Sequence, residues 1–335
     1  MREWVINDYS GYKGLTLQEC AESQPGDEDV RLRIEAFALN WGDADLMLDN
    51  YTFSFAKFPA RVGIECSGVV DAIGANVTGI ELGDRMGVMP YLYGNRGVSA
   101  DSVVVEAQYL AKAPDSFSAV ENASIWMKYL TAYFPMVELG KVNSQSYVLV
   151  TAATGTAGMA CVEVAKMCGA TVIATSRYER NTQYLKDAGA DFVYISNESS
   201  PALKDVLDEI TKGKGVNVIF DPVGGDMMSQ YSPSLAQDAQ IFFYGFLTGK
   251  FPDIPFIDLF NKNTIFHPYS VFHYVAKPDM RARAVEFIHR GVQTGQLTAG
   301  VDRVFSMEQY IDAWEYMRSD RSSHGKIVVE TGFKP

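Results

Sequence analysis

Through the first 120 residues, apolar and polar positions alternate over short runs, each closed by Gly, Pro or Asp. RLRIEAFALN, ECSGVVDAIG, DRMGVMPYL and DSVVVEAQYLAKAP are the clearest of them. This spacing predicts a mostly β domain with barrel-like closure. From about residue 122 the pattern changes. SYVLVTA, ATVIATS, ADFVYIS and VNVIFDPVGG are apolar runs, and the segments between them, TAGMACVEVAKMCG, ERNTQYLKDAG and PALKDVLDEITKG, carry helical periodicity. Apolar strands between amphipathic helices predict a parallel sheet covered on both faces. AQIFFYGFLTG reads as a fifth strand, and KNTIFHPYSVFHYV as one further, apolar last strand. A helix over about 280–293, a strand VDRVF, a helix MEQYIDAWEYMRS and a closing strand KIVVE come after it. These last pieces are expected to complete the first domain, dividing the chain into 1–121 with 295–335, and 122–294 inserted between.

Composition narrows the classes. At about 150 residues per domain, 335 residues fit two domains, and 47% hydrophobic with 21% charged residues is globular rather than disordered. Twenty-nine basic against 41 acidic side chains give a net charge of −12, so nucleic acid is not an expected partner. Cys20, Cys66, Cys161 and Cys168 show no Cys-x-x-Cys spacing and read as reduced thiols. MREWVINDYSGY lacks the apolar core of a signal peptide, and no run of about eighteen apolar residues comes after it. A cytoplasmic protein without a membrane partner is expected.

The strongest local signal is AATGTAG at 152–158, directly after the strand SYVLVT and directly before a helix. Against G-x-G-x-x-G, Ala153 takes the first position, while Gly155 and Gly158 hold the second and third. Gly155 lets the backbone approach a pyrophosphate and Gly158 lets helix and strand pack closely, so Thr154, Gly155, Thr156 and Ala157 are the expected cofactor contacts. A tight turn without a ligand is the alternative. About twenty residues on, where a free ribose hydroxyl would call for an acid, the chain has Ser176, Arg177, Tyr178 and Arg180. A hydroxyl and two guanidinium groups suit a 2′-phosphate, which points to NADPH over NADH; the alternative is solvated residues opening a surface helix.

Further motifs are Asn40-Trp41-Gly42-Asp43 with Tyr51, GIECSGVV at 63–70, LGDRMGV at 82–88, LTAY at 130–133, DPVGG at 221–225, YGFLTG at 244–249 and GKIVV at 325–329. Together with AATGTAG they make the whole chain resemble the medium-chain dehydrogenase/reductase superfamily, in its zinc-free quinone oxidoreductase branch, which includes enoyl thioester reductases. The resemblance implies an α/β protein: a GroES-like β-rich catalytic domain plus an inserted Rossmann domain with a doubly wound parallel sheet. It implies that Asn40 and Asp43 shape the pocket floor beside the nicotinamide and that Thr131 lies near the cofactor. Gly245, Phe246 and Leu247 would hold the carboxamide, and DPVGG closes the fourth strand at the edge where such sheets bind ligands, or is a purely structural turn. Tyr51 matches the position of a proposed proton donor. Relatives commonly pair through the last strand of the nucleotide sheet, so a homodimer is expected. Read from the residues alone, Asn40 and Asp43 could equally satisfy a turn and Tyr51 could equally be a packing aromatic.

Zinc-dependent members of this superfamily place a Cys in the loop matching 40–43 and a His-Glu pair in the stretch matching GIECSGVV. Here the residues are Asn40 to Asp43 and Ile64-Glu65, and His267, His273, His289 and His324 all lie in the last 70 residues. PYLYGNRGVSAD (90–101) contains none of the cysteines of a structural zinc lobe. No metal is expected, and Glu65 reads as a turn or salt-bridge residue. Without a Lewis acid, reduction of an already activated, electrophilic small molecule is the natural chemistry. Asp45 stands where some relatives carry an aromatic residue. Phe53, Phe55 and Phe58 form either an apolar wall or packing. The expected function is an NADPH-dependent reductase of a quinone or α,β-unsaturated carbonyl. An enoyl thioester reductase, with Lys57, Arg61 or Lys262 near its pocket mouth, and a non-catalytic NADPH-binding protein are the alternatives.

Overall fold

The computed structural model describes residues 1–92, 96–320 and 322–335. Two units divide the chain: Met1–Met127 with Phe272–Pro335, and Lys128–Val271.

At the centre of the first unit is strand Asp29–Ala38. Val30, Leu32 and Ile34 are buried on one face, while Arg31 and Arg33 reach Asp71 on the other at 2.8 Å each. This strand pairs antiparallel with Glu65–Ile73, Ser102–Glu106 and Lys326–Glu330 in a seven-stranded sheet. Register sets which side chains meet at its end. Ala38 lies opposite both Val328 and Glu65, and the Leu39 N–H donates to the Ile327 carbonyl at 3.0 Å. Continuing that count brings Lys326 level with Asn40.

The second unit is a six-stranded, wholly parallel sheet in the order Phe192–Ile195, Thr171–Ser176, Tyr147–Val150, Val216–Asp221, Leu235–Phe243, Ile265–Pro268. Leu149, Ile173, Val216, Ile219 and Ile241 are fully buried in its core. Strand order reverses between Tyr147–Val150 and Val216–Asp221, the switch point whose carboxyl edge is where open α/β sheets bind ligands.

Two features differ from the sequence expectation. KNTIFHPYSVFHYV forms a four-residue strand, Ile265–Pro268, and then a short helix, Phe272–Val275, rather than one long strand. The Tyr269 N–H makes the last bond of this pairing, to the Phe243 carbonyl at 2.8 Å, and the chain then turns into the helix. The unit boundaries fall at 127/128 and 271/272, where the sequence placed them at 121/122 and 294/295. The helix Pro278–Gln293 accounts for the second shift. Its Arg281 donates to the Val275 carbonyl at 2.6 Å and to Gln108 at 3.3 Å, and its His289 ring nitrogen meets the Lys112 carbonyl at 2.9 Å. The first shift comes from Trp126, fully buried and bonded to Asn122 at 3.0 Å.

Candidate functional site

Asn40 caps the helix Trp41–Leu46 in the first unit. Its backbone N–H donates to Asp43 Oδ2 at 3.0 Å, and the Asp43 N–H returns to the Asn40 carbonyl at 3.0 Å. The Asn40 side chain reaches beyond that turn as well. Its Nδ2 donates to Glu65 Oε1 at 3.2 Å, and its Oδ1 accepts from the ammonium of Lys326. Lys326 also donates to Glu65 Oε1, while Glu65 Oε2 accepts the Met127 N–H at 2.8 Å. Lys326 is 1% exposed and Glu65 0%. A charge this deep requires a partner, and these two carry each other.

Asp43 lies beside this pair with no exposed surface, and its Oδ1 has no hydrogen-bond partner. Burial pushes its carboxyl up to about 7, with Glu65 adding to the rise and the Asn40 N–H and Lys326 opposing it. Asp43 is therefore an acid that still holds a proton near neutrality. Tyr51 rests on the same helix start: a Cβ built on Gly42 would lie 2.6 Å from both Cζ and the hydroxyl of Tyr51. The Tyr51 ring meets Phe53 and Phe272 edge-on, at 5.6 and 6.1 Å between centroids. Burial, then the charges of Asp43 and Asp45, hold the phenol above its usual range, so it keeps its proton. Phe55 and Phe58 pack on Tyr9, at 6.0 and 5.0 Å. Burial likewise raises Asp45, against the pull of Arg318.

The remaining predicted residues lie in the second unit, most of them in turns after its strands. Thr154 to Ala157 span the turn into helix Thr156–Met167, whose N-terminus Gly155 caps without a side-chain bond. The turn is held from behind: the Ala152 and Ala153 N–H groups donate to Thr175, at 3.2 Å to Oγ1 and 3.0 Å to the carbonyl. A Cβ on Gly158 would stand 2.8 Å from the Ala153 Cα, which only glycine avoids; one on Gly155 would meet nothing closer than 3.5 Å. Gly155 thus leaves an open backbone face in front of the first-turn N–H groups.

Ser176 ends the second strand, but its hydroxyl is committed to the turn, accepting from Asn181 Nδ2 at 2.9 Å and the Tyr178 N–H at 3.2 Å. Arg177 and Arg180 are exposed and lie 5.6 and 4.2 Å from the Tyr178 ring centroid. Asp221 is a brace. It accepts from Thr151 Oγ1 at 2.6 Å, the Val223 N–H at 2.9 Å and Tyr231 at 3.0 Å, tying two strand ends to a helix. Gly245, Phe246 and Leu247 come after the fifth strand, with the Leu247 N–H on the Pro222 carbonyl at 2.8 Å. Thr131 is buried on helix Trp126–Tyr133.

Lys326, within the motif GKIVV, is a site residue to which the sequence alone assigns no role. A lysine opening a strand otherwise apolar through Val329 is the one signal it carries.

The family model for the "alcohol dehydrogenase GroES-like domain" matches residues 26–115, and that for "zinc-binding dehydrogenase" matches 157–290. Among curated relatives, a quinone oxidoreductase-like protein 2 homolog of Nematostella vectensis is 30% identical over 310 residues, 91% of this chain and 82% of that one. A 2-haloacrylate reductase of a Burkholderia species is 28% identical over 97% of both chains. The solved structure of Escherichia coli quinone oxidoreductase complexed with NADPH superposes with a TM-score of 0.88 over 98% of this chain and all of that one, at 22% identity. The chain belongs to the medium-chain dehydrogenase/reductase superfamily of oxidoreductases, in its quinone oxidoreductase-like branch.

Proposed function

We propose that the protein is an NADPH-dependent reductase of quinones or α,β-unsaturated carbonyl compounds that works without a metal. The observation that carries this reading is the make-up of the buried centre. It offers a phenol, a carboxyl group that titrates near neutrality, and a Glu65 charge already neutralised by Lys326. Among the described residues, no three His, Cys, Asp or Glu side chains are grouped to hold a metal ion. Such a centre can place protons but has no ligand set for polarising an alcohol oxygen.

The second unit fits a dinucleotide. Its bare Gly155 face and uncapped helix start are a cradle that a side chain would fill. Thr154 to Ala157 would hold the pyrophosphate, and Arg177 and Arg180 the 2′-phosphate, with Ser176 shaping their turn. Thr131 and Gly245 to Leu247 would hold the nicotinamide end. NADPH, when bound, supplies the hydride. Tyr51 retains its proton across the physiological range and can donate it to the oxygen or carbon on which negative charge develops. Asn40 and Asp43 fix the helix start on which Tyr51 rests. The 2-haloacrylate reductase is named for an activated alkene, which supports this class of acceptor.

Steady-state NADPH oxidation with a panel of quinones, enones and enoyl thioesters tests the reading. Turnover with the first two is expected. Turnover with thioesters alone makes the protein an enoyl thioester reductase, and none with any acceptor makes it a non-catalytic binder.

We also propose a two-fold homodimer paired through the edge strand Ile265–Pro268. Ile265 in that strand and Phe256, Ile257 and Phe260 in the helix just before it are each more than half exposed, apolar surface that calls for a cover. A monomer by light scattering at micromolar concentration would overturn it.

A further inference from the structure

A buried ion pair is weak evidence for stability, because desolvating both charges offsets much of their attraction. The residues after Lys326, Ile327 to Val329, are apolar and buried, so a hydrocarbon side chain at 326 would suit that stretch of the sheet equally. What the ammonium adds is geometry. It joins the last strand to the cap residue of helix Trp41–Leu46 and to the first residue of strand Glu65–Ile73. Its other effect is to fix which way the Asn40 carboxamide points, with Oδ1 toward Lys326 and Nδ2 toward Glu65. Two residues after Asn40, Gly42 carries the Tyr51 ring in contact so close that a methyl group would displace the hydroxyl.

We propose that Lys326 is a positioning residue for proton donation by Tyr51. Its ammonium locks the Asn40 cap, the cap fixes the helix start, and the helix start seats the phenol. Lys326 itself, 1% exposed, does not meet the phenol: it is bonded to Asn40 and Glu65, and its charge also bears on Asp43. The inference rests on the reductase reading, in which Tyr51 is the donor.

A double-mutant cycle between Lys326 and Tyr51 tests it. Lys326→Met alone strands the Glu65 charge, so it is combined with Glu65→Gln and folding is verified by thermal melting. In K326M/E65Q the kcat on an enone should fall about 10²-fold, the cost of a misplaced group, with KM changed by less than about threefold. Adding Tyr51→Phe should then cost less than about threefold more, against roughly 10²–10³-fold in the wild type. An enone kcat within about threefold of wild type, or an undiminished Tyr51→Phe penalty, overturns the proposal, since a purely structural lysine leaves the two effects additive. Should K326M/E65Q fail to fold, Lys326→Arg carries the same cycle, because it keeps the charge but spreads the donors over a planar fork.

A second readout needs no turnover. With 3-fluorotyrosine at position 51, the fluorine resonance should shift in K326M/E65Q and stay in place in the surface variant Lys212→Met. An unmoved resonance in K326M/E65Q refutes the positioning role even if the wild type reduces nothing, whereas absent turnover refutes only the reductase reading.

Discussion

In the second unit, the turn proposed to face a phosphate lies within residues 152–158, where main-chain N–H groups open the helix and Gly155 and Gly158 carry no side chain. In the first unit, the buried centre needs Asn40 and Lys326, which are 286 residues apart, and it is made from side-chain charges and amides. The first arrangement depends on local backbone shape. Thr175 holds it from behind, and Gly158 cannot accept a Cβ. The second depends on register across a sheet, and it concentrates titratable groups where each alters the others. Substitutions should therefore act on binding in one unit and on protonation and rate in the other.

The largest expected effect concerns Asp43. Its folded-state carboxyl sits at about 7 against 3.8 in the free residue. Between those values the folded protein holds a proton that the unfolded chain has released, so stability falls as pH rises through the window and levels off above it. At about 1.4 kcal/mol for each pH unit, the loss approaches roughly 4 kcal/mol. Asp43→Asn abolishes this slope, so urea unfolding at pH 5 and pH 7.5 should show the wild type losing ground to the variant. An equal difference at both values would refute it.

Next comes Tyr51→Phe, which keeps the ring and its contacts with Phe53 and Phe272. Enone reduction should slow by roughly 10²–10³-fold, while quinone reduction, whose product oxygen can take a proton from water, should slow less. NADPH affinity should hold, keeping the effect within the first unit. A silent variant would assign Tyr51 to packing.

Cofactor choice is a smaller effect and belongs to the other unit. NADPH should bind at least about tenfold more tightly than NADH, equivalent to about 1.4 kcal/mol, and Arg177→Ala with Arg180→Ala should erase the preference without changing enone selectivity. Equal dissociation constants for the two cofactors in the wild type, by fluorescence titration, would contradict this. The smallest effect is none: exhaustive chelation should leave activity intact, and loss with EDTA and its rescue with zinc would place a metal in the first unit after all.

Local pattern makes the parallel sheet and the 152–158 turn readable, because strand, turn and helix are contiguous there. Alternation along Asp29–Ala38 makes the β-rich unit readable for the same reason. The Lys326 bridge is not readable, since pairing of Lys326 with Asn40 and Glu65 depends on register between strands far apart in sequence. Glu65 can be read as a salt-bridge residue, but its partner cannot be named. The grouping of helix Pro278–Gln293 with the first unit is not legible in the sequence, because periodicity reports a helix's apolar face and not the sheet that receives it. Ser176 reads as a phosphate contact from its position; its commitment to Asn181 and Tyr178 depends on the conformation of the turn.

The Lys326 pair also has a consequence for how the molecule is made. Lys326 leaves the ribosome 261 residues after Glu65. Until then the first unit lacks the strand Lys326–Glu330, and closing its interior would enclose a lone carboxylate at an expense of several kcal/mol. The second unit, whose strands and helices are all emitted earlier, can finish while the first waits. A chain stopped short of residue 326 would still hold every strand of the second unit but would leave Glu65 without its ammonium, so such a truncation should cost the first unit its stability and spare the second.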